Sequence, residues 1–332
     1  MQHGTASNAP PLARRHRVRR PASLLATGVL VAAVCAWQLT NAVKAQTART
    51  PLPRFVGNVT TNGAVSPDFA TYWDQLTPEN EGKWESVERT RNQMDWSGLD
   101  AAVQFARAHN MPFKEHTLVW GRQVPAWVAD LPKKQQAAEV EEWIRAYCER
   151  YPDTAMIDVV NEPDHATPVY AEALGGAGRS GYDWVLWSFR TARKHCPKAQ
   201  LILNDYDVLR IDTDKFIAIA RVVKRAKLLD AIGAQAHDIE SEPLAELQEN
   251  LKKLAALDVP IYISEYDVDE YDDEKQQAIV AEQFPVFWES PAVAGITFWG
   301  YVDGATWKSH AGLIRDGVPR PALTWLMNYL HR

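Results

Sequence analysis

The sequence predicts an α/β protein of the (β/α)8, or TIM, barrel class, built as a single domain. Three observations carry this reading. Short apolar β-type runs alternate with amphipathic helical stretches, and eight such units fit between Pro53 and the end of the 332-residue chain, as in a parallel barrel ringed by helices. Most of the strand candidates are continuous apolar runs, such as Ile261-Tyr-Ile263 and Leu201-Ile-Leu203, the pattern of strands buried on both faces. The first strand is not followed by a glycine-rich turn, since Gly57-Asn-Val-Thr-Thr-Asn-Gly63 lacks one, which argues against an open doubly wound sheet.

In chain order the strand candidates are 54–59, 75–78, 112–120, 155–161, 201–206, 231–237, 261–266 and 295–300. Helical periodicity occupies 99–109, 137–150, 184–194, 215–229, 244–257 and 274–287, and a last helix covers 322–331. Start signals stand where helices need them: Ser97 before Leu99, Asp212 and Asp214 before Phe216, and Glu242-Pro243 ahead of the helix at 244. No linker or low-complexity tract follows residue 51.

The first residues read as an address. Arg14-Arg-His-Arg-Val-Arg-Arg20 precedes an apolar run from Pro21 to Trp37, and Val43-Lys-Ala45 fits a small-x-small cleavage rule. We therefore expect a signal peptide over 1–45, a short leader over 46–52 and the barrel over 53–332, with a secreted or periplasmic product. An uncleaved anchor is the alternative, although the apolar run is short of the roughly 20 residues a bilayer needs. Arg19-Arg20 leaves twin-arginine export open. In an oxidising compartment the two remaining cysteines, Cys148 and Cys196, become a candidate disulfide. Two unrelated thiols are the alternative, and spacing leaves the choice open.

Charge and composition exclude several classes. The 36 basic and 42 acidic residues give a net −6, and the first 45 residues hold six bases and no acid, so the body is more acidic still. That argues against a nucleic-acid partner, which needs clustered Lys and Arg. With 46% hydrophobic and 23% charged residues, disorder is excluded for the chain as a whole. There is no Cys/His cluster of zinc spacing and no glycine-rich phosphate loop, so neither metal nor cofactor is expected. Thirteen tryptophans suit an aromatic core or a site that stacks on flat ligand faces.

Function in such a barrel collects at the C-terminal strand ends, and seven of the eight strands end in polar or Trp groups. Glu162 and Glu265 follow strongly apolar strands four and seven, which lie across the barrel. A carboxylate there is costly unless partnered. Two opposed carboxylates in a Trp-lined cleft are the machinery of glycoside hydrolysis; a structural pair bonded to Arg or backbone is the alternative.

Taken together, Thr77-Pro-Glu-Asn-Glu-Gly-Lys-Trp-Glu85, His116-Thr-Leu-Val-Trp120, Asp158-Val-Val-Asn-Glu-Pro163, Leu203-Asn-Asp-Tyr206, Ile232-Gly-Ala-Gln-Ala-His237, Ile263-Ser-Glu-Tyr-Asp267 and Thr297-Phe-Trp-Gly300 resemble glycoside hydrolase family 10, the retaining endo-β-1,4-xylanases. The resemblance runs from about Pro53 to the end with the motifs in the family's order. It implies Glu162 as acid/base and Glu265 as nucleophile, with Asn161 and Gln235 on the 2-hydroxyl of the reacting sugar. His237 and Asp267 would orient Glu265. Glu79, Asn80, Lys83 and His116 would contact sugars on the non-reducing side, and Trp120, Trp299 and Trp307 would wall the reacting ring. The implied partners are xylan and xylo-oligosaccharides, without nucleic acid or, once the leader is cut, a stable membrane association; a monomer is the default.

Two departures stand out. Gly121 follows Trp120 where the family usually has His, which by itself removes a side chain near the −1 and −2 sugars. Asp207 ends Asn204-Asp-Tyr-Asp207 where Asn is usual. Of the other tryptophans, Trp73, Trp143, Trp184, Trp187, Trp288 and Trp325 read as helical core, and Trp127 is a candidate for the cleft border. The acidic run 267–274 reads as a solvated rim in preference to a calcium site. A cellulose- or mannan-cleaving barrel and a non-catalytic xylan-binding barrel are the rival readings.

Overall fold

A computed structural model describes residues 52–332, so the expected signal peptide, its expected cleavage site and all but the last residue of the expected leader lie outside the described residues. Eight parallel strands, β1 (Phe55–Val59), β2 (Leu76–Thr77), β3 (Lys114–Val119), β4 (Met156–Asn161), β5 (Gln200–Asp205), β6 (Ala231–Ala236), β7 (Ile261–Tyr266) and β8 (Val293–Phe298), form one sheet in the order β2-β1-β8-β7-β6-β5-β4-β3. A parallel bridge between Leu76 and Phe113 closes β2 toward β3. Apart from Gln200 and Ala294, every strand residue is buried, as the apolar runs demand.

The helices are α1 (Phe69–Tyr72), α2 (Trp84–Val87), α3 (Ser97–Ala108), α4 (Lys133–Arg150), α5 (Asp183–His195), α6 (Thr213–Arg225), α7 (Leu244–Ala255), α8 (Asp273–Trp288) and α9 (Pro321–Tyr329). The longer helices lie within a few residues of the periodicity. Residues with weaker local signals depart from it. β2 keeps two residues of the expected 75–78, and β8 begins at Val293, before the expected 295. The short α1 and α2 and a hairpin of β9 (Ile314–Arg315) and β10 (Val318–Pro319) carried no periodic signal. Neither Ser97 nor Asp212 caps a helix with its side chain. Asp272 does, accepting from the amides of Glu274 and Lys275.

A plug of Phe55, Met156, Ile202, Ala231 and Tyr262 fills the N-terminal end of the barrel, with Phe55 stacked on Tyr262 at 5.6 Å. Gly295 makes room for it: a Cβ there would lie 2.5 Å from the Phe55 ring. Trp143 is fully buried between Trp84 and Trp96, its ring planes within 10° of both. Trp73 and Trp184 are buried, whereas Trp187, Trp288 and Trp325 pack half-buried against the core. Trp73 sits just past α1, outside any helix. The acidic run is consumed locally: Asp272 caps α8, Asp273 pairs with Arg315 and Arg320, and Asp269 accepts the His310 amide.

Cys148 in α4 and Cys196 just past α5 form a disulfide spanning 48 residues. It ties together two helices that flank β4. Closing a loop of that size restricts the unfolded chain, an effect worth about 2–4 kcal/mol. Cys148→Ser with Cys196→Ser should therefore lower the midpoint of thermal unfolding by several degrees, read by calorimetry. Equal melting of oxidised and reduced protein would exclude a stabilising role for the bond.

Candidate active site

The C-terminal ends of the strands open onto a cleft of about 420 Å³. Glu265, on β7, is 4% exposed, and burial alone would raise its pKa. A polar shell reverses this. His116, the hydrogen bond and charge of His237, and Lys114 together hold the carboxyl down at about 2. Asn204 Nδ2 donates to Glu265 Oε1 at 2.6 Å, and His237 Nε2 lies 3.2 Å from Oε2. His237 Nδ1 lies 2.7 Å from Asp267 Oδ2. Burial pulls the His237 pKa down, but Asp267 and Glu265 outweigh it and lift it to about 10. The ring is therefore an imidazolium donating to two carboxylates. Asp267 also accepts from Trp307 Nε1 at 2.9 Å and Lys308 Nζ at 3.2 Å.

Glu162 stands at the end of β4 in the left-handed region, φ 54°, a conformation that costs energy outside glycine. Its environment is the converse of Glu265's. Burial, and then the charge of Glu265, push its pKa up, while the hydrogen bond from Trp120 opposes the rise. The donors to its carboxyl are neutral: Trp120 Nε1 at 2.8 Å and Asn161 Nδ2 at 3.2 Å. Asn161 is fixed in turn, its Oδ1 accepting from Asn204 Nδ2 at 2.7 Å and Gln235 Nε2 at 3.1 Å.

The remaining expected residues converge on the same cleft. Glu79, Asn80, Lys83, His116, Trp299 and Trp307 line it, and Gln235 and Asp267 sit directly behind Asn161 and His237. Lys83 Nζ lies 4.9 Å over the Trp120 ring and 3.3 Å from Asn80 Oδ1. Burial raises Glu79 to about 7 against the pull of Lys83. His116 packs edge-on to Trp299 at 4.9 Å, and its Nδ1 lies 3.0 Å from Asp158 Oδ2. Trp307 is 54% exposed, open to a ligand face.

Other lining residues were not singled out by the sequence: Arg122, Gln123, Tyr206 and Asp238. Tyr206 stood in a strand-end motif without a role, and Arg122 belonged to no motif. Beneath the site Lys114, 1% exposed, bonds Asp158 Oδ2 at 3.1 Å and the Ser264 carbonyl at 3.3 Å. Trp127 lies elsewhere. It packs edge-on to Trp84 and donates to the Glu88 carbonyl, half-buried against the core and not among the residues that line the cleft.

Gly121 also differs from expectation. A Cβ there would lie 2.2 Å from the Ala166 carbonyl oxygen. The backbone that follows Glu162 already occupies that direction, so the glycine accommodates a close loop and leaves no vacant space. Among the described residues, Asp164, His165 and Asp212 form a cluster of metal-ligating type. Its histidine is committed, with Nδ1 on Asp205 and Nε2 on Asp212. The Asp205 hydrogen bond leads in raising its pKa to about 9, and an imidazolium has no lone pair for a metal. Lys215 pairs with Asp164.

An eight-stranded parallel barrel whose rim holds two carboxyls with pKa values pushed in opposite directions among indole rings fits the class of barrel glycoside hydrolases. Comparisons with known proteins sharpen this. Residues 43–329 match the model of Glycosyl hydrolase family 10, and the chain belongs to that family. It is 47% identical over 284 residues to an endo-1,4-beta-xylanase B of Cellvibrio japonicus (strain Ueda107), covering 84% of this chain and 46% of that protein. The chain thus spans less than half the length of that relative. Endo-1,4-beta-xylanase B of Thermotoga neapolitana is 28% identical over 246 residues, 70% of this chain and 71% of its own. The solved structure of xylanase 10B from Thermotoga maritima superposes with TM-score 0.73 at 27% identity, covering 84% of this chain and 95% of that one.

The tight seat of Gly121 predicts its own test. Gly121→Ala must displace the loop after β4, a strain of about 1–3 kcal/mol, read as a lower denaturation midpoint. A fully stable variant would show that the loop yields freely.

Proposed function

We propose that this chain is a retaining endo-β-1,4-xylanase, cleaving internal β-1,4-xylosidic bonds of xylan and xylo-oligosaccharides by double displacement. The observation that carries the reading is the split between two carboxyls in one cleft, Glu265 held at about 2 and Glu162 pushed up. Glu162 gives its proton to the glycosidic oxygen as the Glu265 carboxylate attacks the anomeric carbon. The carbon–oxygen bond breaks and the leaving chain departs protonated. Glycosylation removes the Glu265 charge, which relaxes the repulsion that kept Glu162 protonated. Glu162, now a carboxylate, takes a proton from the water that attacks the glycosyl ester, releasing sugar and restoring Glu265.

In this reading Asn161 and Gln235 bind the 2-hydroxyl of the reacting sugar, and His237 and Asp267 orient the nucleophile. Glu79, Asn80, Lys83 and His116 contact sugars on the non-reducing side, and Trp120, Trp299 and Trp307 wall the ring. Xylose lacks the hydroxymethyl arm of glucose. Forcing that arm against packed indoles costs about 1–3 kcal/mol by analogy with overpacking, enough for preference without absolute exclusion. The basic and apolar leader supports export of the barrel, 53–332, which would act as a monomer without cofactor. Among the described residues no helix is long and apolar enough to cross a membrane.

Reducing-sugar release should be much faster from xylan than from carboxymethylcellulose or mannan, and Glu265→Ala should abolish it while xylan binding persists. Strong preference for either other polymer, or activity surviving in Glu265→Ala, overturns the assignment. The pH profile gives a separate check. Activity needs Glu265 ionised and Glu162 protonated, so the first bounds kcat/KM on the acid side and the second on the alkaline side. His237→Asn removes a cation that lowers the Glu265 pKa, and the acid limb should move to higher pH. An unmoved limb refutes the role given to His237.

A further inference from the structure

The turn that follows Glu162 is held by a network the mechanism above does not use. The Glu162 carbonyl accepts the amides of His165 at 3.2 Å and Ala166 at 2.8 Å. His165 is wedged between two acids from different segments. Its Nδ1 lies 2.7 Å from Asp205 Oδ1, at the end of β5, and its Nε2 lies 3.1 Å from Asp212 Oδ2, ahead of α6. Asp205 also holds that turn by its backbone, its carboxylate accepting the amide of Asp164 at 3.2 Å, and it accepts the amide of its own neighbour Tyr206 at 2.9 Å. Lys215 of α6 pairs with Asp164. Asp212 is free to do this because it does not cap α6 with its side chain.

The other face of the ring bears on the cleft. His165 stacks on Tyr206 with centroids 3.8 Å apart and planes 23° apart, and Tyr206 lines the cleft together with Glu162 and Arg122. One imidazole thus fixes both the backbone that carries Glu162 and the aromatic ring beside it. Resting on the acid/base assignment of Glu162, we propose that His165 is a positioning residue for acid catalysis, a doubly donating strut that sets the Glu162 carboxyl and the Tyr206 ring against the departing sugar. Its raised pKa, about 9, keeps both ring nitrogens donating across neutral pH.

A strut that aims a general acid has a signature that a purely structural tie lacks. Its loss should cost most where the leaving group needs a proton, since a misplacement of about 1 Å can cost on the order of 100-fold. The test compares kcat/KM for phenyl and 2,4-dinitrophenyl β-xylobiosides, the second leaving group departing unprotonated. His165→Ala should lose roughly 10- to 100-fold on the phenyl substrate and stay within about threefold on the dinitrophenyl one. His165→Gln, which retains one donor, should fall between and serves if the alanine variant folds poorly. Glu162→Gln should show the same pattern in a stronger form. Equal losses on both substrates, or no loss on either, at position 165 overturn the proposal and leave the Glu162 assignment standing. A Glu162→Gln variant that loses both substrates equally overturns that assignment, and the proposal with it.

Discussion

The pKa values of two carboxyls that share one cleft are pushed in opposite directions, Glu265 down and Glu162 up, and most of the polar structure at the rim follows from that split. Left to burial and mutual repulsion, both would drift toward the neutral acid. Glu265 escapes because charges alternate outward from it: His237, then Asp267, then Lys308, with Trp307 adding a donor to Asp267. Each cation stands between acids, so none is a lone buried charge. Glu162 receives no cation this close, since Arg122 Nε stands 4.0 Å away on a side chain 64% exposed to water.

The barrel makes this arrangement possible at small cost in chain. Parallel strands deliver their C-terminal residues to one rim, so β4, β5, β6 and β7 meet without a dedicated scaffold. Asn204 on β5 exploits this, donating at once to Asn161 of β4 and Glu265 of β7, while Ser264 Oγ donates to its oxygen at 2.6 Å. The two halves of the site are therefore coupled by one amide. Below them Lys114 and Asp158 place a buried ion pair inside the barrel, which positions His116 and extends the favourable field toward Glu265.

Much of this was legible in the sequence because burial on both faces writes itself as unbroken apolar runs. The polar residues that end those runs then mark the rim. What was not legible follows the same logic in reverse. β2 and the β9–β10 hairpin have two-residue strands and leave no period to detect. Lys114, two residues before the motif that begins at His116, reads as an ordinary charge, and only the closed barrel turns it inward. Trp127 sits among loop residues as a cleft residue would, yet its indole N–H is claimed by the Glu88 carbonyl. Gly121 reads as a missing side chain until the Ala166 backbone is seen filling its place. Tyr206 and Arg122 come to the cleft through loop conformations that no pattern of hydrophobicity encodes.

The two acidic groups also differ in what holds them, and the difference matches what each must do. In the proposed double displacement Glu265 passes between carboxylate and ester and never needs a proton, so an ionic shell that favours the anion is an advantage throughout. In the same proposal Glu162 gives up a proton and recovers it within one turnover. A cation in contact would strand it as a carboxylate, and a wholly apolar pocket would strand it as an acid. Neutral donors, the Trp120 indole and the Asn161 amide, offset part of the burial without committing the group to either form. Placing it on a strained turn instead of within a strand, φ 54°, adds a second need, a backbone clamped from outside the site. The proposed clamp runs through β5 and the start of α6, and it would bring residues with no contact to the sugar into the physics of the reaction.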